Sequence, residues 1–102
     1  MRRIERNQPL PKAMQGRWVI ADEPASELII EGSEITCFGA RVAFDYMEVA
    51  QEHGALMVSL KVDDPATEDT FQRANITELV ISPEGDFHAY NVKFASQFIR
   101  AA

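Results

Sequence analysis

Leu56-Met57-Val58-Ser59-Leu60-Lys61-Val62 alternates without a break, with aliphatic side chains at 56, 58, 60 and 62 and Met57, Ser59 and Lys61 between them. Successive side chains of a β-strand point to opposite faces, so this spacing places four aliphatic groups on one buried face. Turn residues bound the segment: Glu52-His53-Gly54 before it and Asp63-Asp64-Pro65 after it. Working outward, the same period of two recurs at Gly16–Ala21, with Trp18 and Ile20 on one face, and at Glu27–Glu31, Glu34–Phe38, Arg41–Gln51, Asn75–Ser82 and Phe87–Phe94. Gly32-Ser33, Gly39-Ala40 and Pro83-Glu84-Gly85-Asp86 carry the residue types of tight reversals. In Arg41–Gln51 the apolar face runs Val42, Phe44, Tyr46 and then slips by one position to Met47 and Val49, which predicts a bulge or bend near Tyr46. Residues 66–74 are polar around Phe71 and read as a loop or short helix. Phe94 and Phe98 also fit one helical face, but Ala95–Arg100 is taken as a final strand.

About eight short strands, with no helical period beyond two turns, specify an all-β domain. The expected fold is an antiparallel up-and-down meander closing into a small barrel, because closure removes exposed edges. A chain of 102 residues, 46% hydrophobic and 25% charged, suits one soluble domain with one core. Glu27-Leu28-Ile29-Ile30 returns as Glu78-Leu79-Val80-Ile81, so both halves ask for the same hairpin. The lone Cys37 excludes an internal disulfide and any cysteine-clustered metal site, and fits a reducing cytoplasm. No apolar run approaches the ~20 residues of a membrane-spanning helix, and the start of the chain lacks the apolar segment of a secretory signal. The expected compartment is the cytoplasm.

The net charge of −6 is unevenly spread. Residues 1–17 hold Arg2, Arg3, Arg6, Lys12 and Arg17 against Glu5 alone, and the remainder is strongly acidic. Residues 1–14 therefore read as a basic, proline-containing arm lying on an acidic surface, its own or a partner's, ahead of a β domain at 15–102. The acidic body should repel polyanions, so nucleic acid is not expected as a partner.

Gly16-Arg17-Trp18 at the head of the first strand resembles the opening motif of the lipocalin-like (calycin) barrels. The resemblance implies a barrel in which this tryptophan closes one end and packs under a basic side chain from the last strand, here Arg100. A guanidinium over an indole is worth about 0.5–2 kcal/mol. Barrels of this type commonly hold apolar ligands, although eight short strands leave an interior that side chains alone can fill.

Aromatic residues are spread over most strands, and they serve either as core or as the lining of an apolar pocket. The candidate ligand-binding residues are Phe44, Tyr46, His88, Tyr90 and Phe94, with Trp18 and Arg100 as the structural closure. His88 has no Ser, Cys or second His placed to complete a nucleophilic site, His53 lies in a turn, and Cys37 has no cationic neighbour in sequence. Asp63-Asp64-Pro65-Ala66-Thr67-Glu68-Asp69 is acidic but lacks the spacing and glycine of a calcium loop. No catalytic residue, metal or cofactor is assigned. The expected function is non-enzymatic binding of a small apolar or aromatic ligand. The alternative is a protein-interaction module with a filled core, homodimeric through Met47, Val49 and Met57 on the outer sheet face.

Overall fold

The computed structural model describes residues 2–93 and 95–101. The alternating segment forms β7 (Ala55–Lys61), between β6 (Tyr46–Glu52) and β8 (Glu78–Ile81). Register aligns Met47 with Leu60 and Val49 with Val58 on one side, and Val58 with Leu79 and Leu56 with Ile81 on the other. One sheet face thus collects an aliphatic row. The other strands are β1 (Arg2–Glu5), β2 (Gly16–Ile20), β3 (Glu23–Glu31), β4 (Glu34–Cys37), β5 (Ala40–Arg41), β9 (Phe87–Tyr90) and β10 (Ala95–Arg100), with one helix, α1 (Pro65–Ala74), and a 3-10 turn at Lys12–Met14. Together the strands form one antiparallel sheet ordered β1-β6-β7-β8-β9-β10-β2-β3-β4-β5, curled into a half-barrel.

The order has a simple logic. From β2 to β10 every consecutive pair of strands is hydrogen-bonded except β5 and β6, and β10 pairs back on β2. The chain is an all-β up-and-down meander closed between its first and last long strands and open in the middle, where β1 adds to β6. Two segments tie the open seam. Val42 N donates to Ile35 O and Asp45 N to Lys61 O, so residues 42–45 cross from β4 to β7. Arg6 reaches from the end of β1 to the β3–β4 hairpin, where Nη1 donates to Ser33 O at 2.6 Å and Nη2 to Glu34 at 3.2 Å.

Ten strands replace the expected eight for two reasons. The predicted strand Arg41–Gln51 is two strands, because Val42 and Phe44 turn into the core as the chain crosses the seam. The slip in apolar phase after Tyr46 marks this break rather than a bulge; the irregularity in the ladder lies between Val19 and Ile20. The basic segment 1–14 supplies the tenth strand and two core side chains, Leu10 and Met14. Arg3 and Arg6 meet acidic groups of the same chain, at Glu5, Asp63 and Glu34. The Gly39-Ala40 turn shifts by one, since Cys37 pairs with Ala40 around Phe38-Gly39, both at positive φ. The outer-face patch of Met47, Val49 and Met57 does not form. Register turns Met47 and Val49 inward, and only Met57 faces outward.

The helix 65–74 is locally encoded: Asp64 accepts from Ala66 N at 2.9 Å as N-cap, and Pro65 occupies the first turn. Phe71 is its buried anchor. The interior is packed with Met14, Leu28, Ile30, Ile35, Met47, Val58, Leu79, Phe87 and Phe98. Fully burying each such side chain contributes roughly 1.5–3 kcal/mol.

The seam offers a test. Arg6→Ala removes two hydrogen bonds and a guanidinium lying 4.2 Å from the Phe44 ring centroid. It should cost about 1–2 kcal/mol in urea denaturation, against less than about 0.5 kcal/mol for exposed Arg2→Ala.

Candidate functional site

Structure separates the candidate residues. Phe44 is buried in the crossover under Arg6. Tyr46 is half-buried at the start of β6, with the Arg3 guanidinium 3.8 Å from its ring centroid. His88 and Tyr90 alternate with the buried Phe87 and Ala89, so they stand on the outer face of β9, their rings 6.3 Å apart. The cross-strand neighbours of His88 are Val80 and Gln97, with no carboxylate in register. Phe94 lies outside the described residues. Phe44, Tyr46, His88 and Tyr90 therefore do not line a shared pocket. The reason is geometric: odd and even positions of β9 face opposite sides, and the inward side is occupied by Phe87 and Ala89.

Trp18 and Arg100 meet across the β10–β2 ladder, the guanidinium carbon 4.2 Å from the ring centroid. Arg100 Nη1 also donates to Gln15 O at 2.8 Å, and Trp18 Nε1 donates to Met14 O at 3.0 Å. A Cβ on Gly16 would sit 2.5 Å from Arg100 Nη1, and its φ of +121° is one that L side chains rarely adopt. Glycine at 16 is thus favoured by backbone conformation, and it leaves the guanidinium its place over Trp18.

The acidic stretch 63–69 is dispersed around the start of α1. Asp63 meets Arg3, Asp64 caps the helix, and Asp69 pairs with Arg73 at 3.1 Å.

A cleft not foreseen from sequence opens between the β4–β5 turn, the end of α1 and residues 91–93. Its volume is about 220 Å³, and it is lined by Cys37, Phe38, Ala40, Val42, Arg73, Ala74, Asn75, Ile76, Asn91 and Lys93. Its lining combines apolar groups, the amides of Asn75 and Asn91 and two cations, with no carboxylate among the described residues that line it. Asn91 builds one wall: its Nδ2 donates to Gln72 O at 2.9 Å and to Asn75 O, while Lys93 N donates to its Oδ1 at 2.9 Å. Phe38 is the unusual element. It occupies a left-handed conformation, φ 51°, in a two-residue turn that favours Asn before Gly, and it remains 48% exposed. Backbone placements of this kind cost on the order of 1–3 kcal/mol and gather at functional sites. The signal was present in the sequence as an aromatic where a turn wants Asn. Arg73 and Lys93, far apart in the chain, carry no local signature.

Burial raises the Cys37 thiol to about 11. At pH 8 it is therefore almost wholly neutral, a wall group rather than a nucleophile.

No family description, curated protein or solved structure matches the chain. No helix among the described residues is long and apolar enough to cross a membrane.

Two measurements check these assignments. Trp18→Ala should lose about 3–5 kcal/mol of unfolding free energy as a large-to-small core change. Alkylation of Cys37 at pH 8 should run far slower than that of a free thiol and accelerate as pH rises toward 11. A rate already at its plateau by pH 9 would contradict the raised thiol.

Proposed function

We propose that this protein is a non-enzymatic binder of a small apolar or aromatic molecule, and that its site is the cleft at the barrel rim rather than the barrel interior. The observation that carries the proposal is Phe38, held half-exposed in a strained turn beside a recess that it shares with Val42, Ala74 and Ile76. Part of the ring packs on the core, with its centroid 6.4 Å from that of Phe98, but Asn-Gly would make the same hairpin without strain and nearly half of Phe38 stays open to the recess. The filled interior supports a rim site because it leaves no inner cup to occupy. The likeness to lipocalin-like barrels, carried by Gly16, Trp18 and Arg100, agrees with ligand binding. In this proposal the protein acts in the cytoplasm.

The filled interior equally favours a second reading, a protein-interaction module, homodimeric in solution. A stable dimer would bury more than ~1,000 Å². Sedimentation at micromolar concentration distinguishes it: a monomer removes the homodimer.

Phe38→Asn tests the rim site. It should move the melting temperature by only a few degrees, because relief of the turn offsets the lost contact with Phe98, while abolishing binding of aromatic fragments detected by saturation-transfer NMR. A variant that loses stability and keeps the fragment hits would overturn the assignment.

A further inference from the structure

The charge of the same cleft specifies its ligand further, and this step rests on the rim-site reading. We infer that the ligand is a small monoanion with a flat apolar body, an aromatic carboxylate by class. In a chain of net charge −6, a recess whose only ionisable rim groups are Arg73 and Lys93 is locally inverted in sign. The distant acidic groups matter little there, because screening over ~8 Å at physiological salt leaves the nearest charges dominant.

Three charge terms act at the rim. Asp69 meets Arg73 at Nε, 3.1 Å away, in a pair whose side chains are both largely exposed. Such pairs are weak, and the terminal nitrogens of Arg73 have no acceptor among the described residues. Lys93 has no ion pair among the described residues. The third is the negative end of α1, equivalent to about half a charge, which would oppose an anion. Its carbonyls are engaged elsewhere: Gln72 O and Asn75 O accept from the Asn91 amide, and Phe71 O accepts from Asn75. Two full cations therefore outweigh it. The apolar body lies against Phe38, Val42 and Ile76, where an aromatic ring gains offset stacking on Phe38. The recess, at about 220 Å³, lies below the ~300–1,000 Å³ of drug-sized pockets, so the body is a single ring. The neutral Cys37 thiol places no opposing charge in the wall.

The test is an amide-resolved NMR titration of the full chain with phenylacetate, 2-phenylethanol and 2-phenylethylamine, which share a ring and differ in charge. Phenylacetate should bind most tightly and the amine most weakly, with shifts concentrated at 38–40, 73–76 and 91–93. Arg73→Gln with Lys93→Gln should weaken phenylacetate about tenfold and bring it level with the alcohol. If alcohol and acid bind the wild-type cleft equally, the anion assignment fails and the rim site stands. If none of the three shifts the cleft amides, the rim site itself fails.

Discussion

The half-barrel depends on the clasp between its first and last long strands. Arg100, one residue from the end of the described chain, lies over Trp18 and donates to the carbonyl of Gln15, and Gly16 leaves the space it needs. Pairing β10 with β2 converts two separate meanders into one continuous sheet. Once that join is made, Phe98 stands in register with Phe87 on one side and Ile20 on the other, and the core becomes contiguous across it. The remaining opening, between the edge strands β1 and β5, lies where the strands are short. Side chains and single hydrogen bonds hold it instead of a ladder.

That arrangement explains where function can reside. A sheet this small, curled around Met14, Leu28, Met47, Phe87 and Phe98, fills its own interior, and the cleft beside Phe38 lies at its rim. The rim between α1 and the β4–β5 turn is also where the backbone carries strain and where two cations interrupt an acidic surface. Strain and exposed aromatic surface come together in Phe38, and the two cations lie beside it on the same recess.

Much of the fold is legible because sheet formation is governed by a local period. The alternation at 56–62, the glycines at 32 and 54 and the cap Asp64-Pro65 each state their structure within a few residues. The closure pair was legible too, since Gly16, Trp18 and Arg100 form a recognisable set. Where the pattern changed phase, at Tyr46, the change was visible but its cause was not: a bulge and a chain leaving the sheet produce the same slip. The aromatic residues do not declare a site in the sequence, because composition does not say which face they occupy. His88 and Tyr90 share a face, but it is the outer one.

By itself, then, the sequence determined the all-β class, the hairpins and the closing pair, since these follow from side-chain alternation, turn stereochemistry and one residue set. Only the tertiary structure decided that the basic first segment becomes an edge strand, that the barrel opens between β1 and β5, and that Phe38, Arg73 and Lys93 line one cleft. Each of these depends on contacts between residues tens of positions apart, whose geometry is set by the curl of the whole sheet and leaves no local pattern to read.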